Sequence, residues 1–177
     1  NFIMRRMLSE CSSDVSSVLR SVTERMAVEQ LCRVGSVAAG QKHAVVLTTT
    51  GNALGWGDNI FGQCNFPLLR EGQRYVQVAA GAIHTLLLRS DGECVALGDN
   101  KAKQCSIPEL GDGVVYVQVA AGAYHSVLLR SDGTVVVCGW GTTASGRFNV
   151  SDRLGFVSVA AALGKSVLMR SDGSYLT

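Results

Sequence analysis

The chain has 177 residues, 47% hydrophobic and 17% charged, which excludes a disordered polyampholyte and bounds it to about one ordinary domain. Net charge is only +2 with no basic block, so composition gives no support for nucleic-acid binding. No apolar run approaches the roughly 20 residues that cross a bilayer, and the opening "NFIMRRMLSECSSD" is interrupted too early by Arg5 and Arg6 for a signal peptide.

The sequence begins without Met, and the expectation is a piece of a longer chain. Residues 13–32, "SDVSSVLRSVTERMAVEQLC", place Val15, Val18, Leu19, Val22, Met26 and Leu31 at helical spacing, with Ser13 or Asp14 as a cap. This predicts one amphipathic helix within an N-terminal helical segment, 1–33. It is expected to cover an exposed blade edge, with the tail of a preceding domain or a partner-binding helix as alternatives. Cysteines fall at 11, 32, 64, 94, 105 and 138, none spaced as a C-x-x-C pair. A zinc ribbon is not expected, and reduced, partly buried thiols in an intracellular protein are.

From Val34 onward a period takes over. "VAAG" occurs at Val37–Gly40, Val78–Gly81 and Val119–Gly122 and returns as "VAAA" at Val159–Ala162, in steps of 41, 41 and 40 residues. "VAAGAIHTLLLRSDG" and "VAAGAYHSVLLRSDG" agree at 12 of 15 positions. Each unit holds three apolar runs of five to seven residues bounded by Gly or Asp-Gly, a strand's length and too short for a packed helix. Strands are predicted over about Val76–Ala79, Thr85–Arg89 and Cys94–Leu97, with matching strands 41 residues later. Asp91–Gly92, Asp132–Gly133 and Asp172–Gly173 read as hairpin turns, both residues tolerating the positive φ such turns use. The runs are apolar on both faces, which predicts sheets packed between sheets. Gly81 and Gly122 are expected to free the backbone for a sharp turn, and the Ala pairs to fit where neighbours crowd.

A three- or four-stranded sheet repeated every 41 residues is the pattern of a β-propeller blade. The predicted fold is all-β: three blades plus part of a fourth over 34–177, with repeats starting near 34, 75, 116 and 156. Seven such blades would take about 290 residues, so remaining blades are expected from the rest of a longer chain or from an oligomer.

These words resemble the repeats of the regulator of chromosome condensation family. Its usual phrase is Ala-Ala-Gly, then Gly-x-x-His-(Ser/Thr), an apolar strand, Asp-Gly, Trp-Gly-Asp-Asn and Gly-Gln. "WGDNIFGQC" at Trp56–Cys64 matches best, and "LGDNKAKQC" at Leu97–Cys105 loses the Trp and the second Gly. "CGWGTTASGRF" at Cys138–Phe148 is degenerate, with Trp140 in the Asp position. The WD-repeat family shares the period, but no Trp-Asp pair occurs.

His43, His84 and His125 occupy one repeat position, and Lys165 takes it in the fourth copy. A protonated amine is no metal ligand, so a histidine ring around a metal is disfavoured. The resemblance implies a structural histidine that bonds nearby backbone and holds the blades together. The family's name-giving member exchanges nucleotide on a small GTPase through an inserted β-wedge, whereas these steps leave no room for one. Its ultraviolet-B photoreceptor carries tryptophans at the positions of Gln41, Ala82, Ala123 and Leu163. Trp56 and Trp140 lie in the other motif, where Trp is ordinary packing.

No Ser/His/Asp set, carboxylate pair or phosphate loop stands out, and Asp58, Asp99 and Asp112 sit in turn contexts. The chain is therefore expected not to be an enzyme, with no catalytic, cofactor or metal residues. The predicted function is docking of protein partners through loops on one propeller rim, without nucleic acid or membrane, inside the cell in cytoplasm or nucleus. The varying connections Asn65–Arg74, Ser106–Val115 and Asn149–Gly155 are the candidate loops. The resemblance leaves as alternatives the propeller of a larger HECT-type ubiquitin ligase or of a nucleotide exchange factor. It also extends to free-standing bacterial propellers, among them a secreted β-lactamase inhibitor.

Overall fold

The structure, a computed structural model, describes residues 34–140 and 155–177. The helix predicted over 13–32 and the loop residues 149–154 lie outside them. Every regular element described is a strand. They are β1 (Val34–Ala39), β2 (His43–Thr48), β3 (Ala53–Gly57), β4 (Tyr75–Ala80), β5 (His84–Arg89), β6 (Cys94–Gly98), β7 (Tyr116–Ala121), β8 (His125–Arg130), β9 (Val135–Gly139), β10 (Phe156–Ala162), β11 (Lys165–Arg170) and β12 (Tyr175–Leu176). Consecutive strands pair antiparallel into four three-stranded sheets, each in chain order. The predicted strands extend by only a residue at their ends.

The sheets stand side by side. First strands contact first strands, β1 on β4, β4 on β7 and β7 on β10, while β2, β5 and β8 each pack on the first strand of the next sheet. Small residues explain which strand lies innermost: the Ala-Ala-Gly ends leave room for four strands to converge. The result is an arc of a β-propeller, with the first strands lining its concave side.

Middle strands carry the core. Val45 and Leu47 meet Tyr75, Val78 and Leu87 of the second sheet. Leu86 and Leu88 meet Tyr116, Val119 and Leu128 of the third, and Val127 and Leu129 meet Phe156, Val159 and Leu168 of the fourth. Each fully buried leucine is worth about 2 kcal/mol in transfer terms. In the fourth sheet the equivalent side chains, Val167 and Met169, are 39% and 45% exposed. Among the described residues, β5 and β8 therefore pack between sheets on both flanks, while β11 packs on the third sheet through Leu168 and leaves its Val167 and Met169 flank open.

The turns differ from the expectation that both Asp and Gly use positive φ. Arg89 N–H donates to Glu93 O (2.8 Å) and Gly92 N–H to Arg89 O (3.0 Å), which closes a three-residue loop. Only the glycine is left-handed (Gly92 φ 82°). Aspartate contributes through its carboxylate instead, accepting the amide two residues on: Thr134 N–H to Asp132 Oδ1 at 2.9 Å and Ser174 N–H to Asp172 Oδ1 at 2.8 Å. Gly81 and Gly122 also serve differently from the expectation. Neither has positive φ; a Cβ on either would overlap the imidazole of His84 or His125. They are glycine because a ring lies against them.

Segments Asn65–Arg74 and Ser106–Val115 run along the outer edge, joining the end where a third strand finishes to the opposite end where the next first strand starts. Phe66 and Leu69 tuck against the core, and the Tyr75 and Tyr116 hydroxyls donate to Pro67 O (3.1 Å) and Pro108 O (2.8 Å). These two candidate loops are therefore partly structural straps.

Candidate functional site

The chemistry-bearing side chains gather at one end of the sheets, where each first strand closes on Ala-Gly and each third strand releases its loop. Backbone bonds fix these together: Asp58 N–H to Lys42 O, Asp99 N–H to Ile83 O and Trp140 N–H to Tyr124 O, at 2.8, 3.0 and 2.8 Å. Trp140 thus occupies the place of Asp58 and Asp99, as its position in the repeat implied. Across sheets, Ala82 N–H donates to Ala123 O (3.1 Å) and Ala123 N–H to Leu163 O (2.7 Å). The arc encloses a groove of about 460 Å³, lined by the Ala-Gly ends of the first three inner strands and Ala161-Ala162 of the fourth, with Gln41, Tyr124 and Leu163.

Beneath this surface lie the histidines. His43 Nε2 is 2.9 Å from Thr85 Oγ1, His84 Nε2 3.0 Å from Ser126 Oγ and His125 Nε2 2.9 Å from Ser166 Oγ. Each bond crosses to the next sheet and ends on a side-chain hydroxyl, a correction to the nearby-backbone partner implied by resemblance. The hydroxyls then donate onward, Thr85 to Gln63 O at 2.8 Å and Ser126 to Gln104 O at 2.7 Å. A hydroxyl has one proton, so Nε2–H of His43 and of His84 must donate, and Nδ1 carries none. Burial holds all three imidazoles neutral. His84 is pushed down to about 4 by desolvation, then by its neighbours His43 and His125, against a smaller opposing pull from Asp99. His43 and His125 move down for the same first reason, opposed by Asp58 and by the Lys165 backbone respectively.

The loop after each third strand is equally regular. Asn59 and Asn100 accept the amides of Cys64 and Cys105 (2.8 and 2.9 Å), while the buried amides Gln63 and Gln104 accept from Phe61 and Ala102, both at 3.0 Å. Asp99 is buried and takes Gln104 Nε2–H at 2.9 Å; Asp58 accepts Ile60 N–H at 3.0 Å. The repeated Gly-Asp-Asn and Gln are therefore loop struts. Cysteines 64, 94, 105 and 138 are thiols rather than disulfide halves. Burial pushes the Cys94 and Cys105 thiols up to about 12, away from nucleophilic use. Among the described residues no group of three His, Cys, Asp or Glu side chains is placed to hold a metal ion.

Two features had no sequence assignment. Gln77 and Gln118 each clamp the next sheet's backbone twice, through Val119 (3.1 and 3.0 Å) and Val159 (3.2 and 3.0 Å). Lys103 (φ 68°) and Leu163 (φ 34°) are left-handed without being glycine. Lys103 sits where the preceding repeat has Gly62 (φ 78°), a lysine in a glycine's place that superposing the repeats does show. Trp140 is 75% exposed, correcting the expectation that it packs. Leu163 and Ile60, at 82% and 83%, join it at the same end.

The family model described as "Regulator of chromosome condensation (RCC1) repeat" matches residues 35–63 and 116–143. The chain carries RCC1 repeats. No curated protein sequence matches it. Among solved structures it is similar to human WBSCR16, at 23% identity and TM-score 0.71, covering 85% of this chain and 48% of that one. Yeast RCC1 (Prp20) bound to Kap60 is 23% identical with TM-score 0.65, over 80% of this chain and 42% of that one. Prp20p from Saccharomyces cerevisiae, described with its binding properties to Gsp1p and histones, aligns at 23% and 0.65 over 80% and 44%. At these identities the likeness is one of fold, and the chain spans about half or less of each neighbour's length. No helix of the described residues is long and apolar enough to cross a membrane.

Proposed function

We propose that this run of RCC1 blades is a protein-docking module without catalytic chemistry, and that its contact surface is the Ala-Gly end of the arc. One observation carries the reading: exposed Tyr124 and Leu163 line the groove, and Ile60 and Trp140 are large exposed side chains at the same end of the sheets. Exposed apolar surface around a concavity marks interaction sites, and aromatic anchors dominate binding energy. The groove lining offers alanine, glycine, one amide, one phenol and Leu163, with no nucleophile or carboxylate. The unpaired thiols of Cys64, Cys94 and Cys105 support an intracellular setting, cytoplasmic or nuclear.

The test is cross-linking of captured partners by lysine-reactive reagent, with mass-spectrometric mapping. Cross-links should concentrate on Lys42, Lys101, Lys103 and Lys165, and Trp140→Ala should reduce capture while Leu68→Ala, on the outer strap, leaves it intact. Cross-links and mutational losses confined to the hairpin end would overturn the assignment. Accelerated nucleotide release from a small GTPase would replace docking with exchange, and a downstream HECT domain in the full reading frame would assign the docking to a ligase.

A further inference from the structure

We propose that the partner segment is acidic and carries apolar anchors, an inference that rests on the docking reading above. The two ends of the arc differ in charge. Lys42, Lys101, Lys103 and Lys165 are all exposed at the Ala-Gly end. Asp58 and Asp99, at this end, are already engaged: Asp99 is buried against Gln104, and Asp58 accepts the Ile60 amide. No lysine of the four has a carboxylate partner among the described residues; Lys101 instead lies 5.6 Å from the Phe61 ring centroid. At the opposite end the second sheet's hairpin neutralises itself, Arg89 pairing with Asp91 and with Glu93 (2.7 Å).

Lys103 strengthens the inference. The same turn is built in the preceding repeat with Gly62, both closing on the asparagine three residues before at 3.0 Å. A lysine in left-handed backbone is disfavoured where glycine is free, yet the charge stands there. Leu163, the other left-handed non-glycine described, is an exposed apolar side chain at the same end. Charge and anchor are thus both held where the backbone resists them. Nucleic acid is the less suited occupant. Ile60 and Leu163 offer no flat face to a base, and single strands are held by successive aromatic platforms along a continuous basic track. An acidic segment with aliphatic or aromatic side chains satisfies both the lysines and the groove.

The experiment uses the whole chain carrying Trp56→Phe, so that Trp140 is the reporting fluorophore. Probes are a twelve-residue peptide of Asp and Glu interspersed with Leu and Phe, its twin with Asn and Gln, and a twelve-nucleotide oligothymidylate. The acidic peptide should bind about tenfold more tightly than its twin at low salt and lose that advantage near 0.5 M salt. Lys101→Glu with Lys103→Glu should weaken it about tenfold, and Arg74→Glu on the opposite end should not. Equal binding of the twin, indifference to the lysine reversals or tighter binding of the oligonucleotide would overturn the inference. A twin that perturbs Trp140 as strongly would leave docking standing while removing the acidic preference. No response of Trp140 to any probe would overturn both.

Discussion

Acidification from neutral pH to about 4.5 is expected to cost the fold roughly 2.5 kcal/mol through His84 alone. The folded value of about 4 lies below the ordinary 6.5, so the unfolded chain takes up the proton first. Stability contributed by the neutral ring is complete above pH 6.5 and is lost progressively as pH falls toward 4. His43 and His125 shift in the same direction and add to the loss. Stopping near pH 4.5 keeps the measurement above the depressed range of Asp91, Asp132 and Asp172. Urea unfolding followed by circular dichroism at several pH values gives the wild-type slope, and His84→Gln, which keeps a neutral donor, should flatten it. An NMR titration of the native ring protons reads the same quantity without a mutation. A His84 midpoint near 6.5, or a His84→Gln variant with the full wild-type slope, would refute the buried donor imidazole.

His84→Ala should also destabilise at neutral pH, by about 1–3 kcal/mol for the buried hydrogen bond that Ser126 Oγ no longer accepts, measured as a shift in urea midpoint. Gly81→Ala should cost more, about 3 kcal/mol or above, because the added methyl overlaps both the His84 ring and the next sheet's backbone; an unchanged melting temperature would contradict the close approach. Lys103→Gly relieves left-handed strain and should stabilise by about 1 kcal/mol in the same urea assay, while weakening acidic-peptide binding. In native protein, Cys94 and Cys105 should react with a disulfide reagent far more slowly than after unfolding, as mapped by mass spectrometry, since their thiols stay protonated up to about pH 12.

The sequence alone determined what depends on neighbours in the chain. Strand positions follow from apolar runs bounded by turn residues, and a hairpin is closed by residues no more than four apart, so Arg89 to Glu93 was legible as a turn. The period added the architecture, because four repeats of one unit must stack alike. Even there, local chemistry left a choice: a two-residue loop and the observed three-residue loop share the Asp-Gly signal. What tertiary structure decided lies at separations of 41 or 42 residues. The direction of each histidine, toward the hydroxyl of the following sheet, is set by how sheets lean together. Gly81 is glycine because of the ring beside it, a contact local in sequence whose geometry only the folded turn fixes. Exposure of Trp140, Leu163 and the β11 flank depends on which neighbours are present, and the same apolar residues at Leu86 and Val167 are buried or open accordingly. A pattern of residue types records what each position prefers; only packing records what stands opposite it.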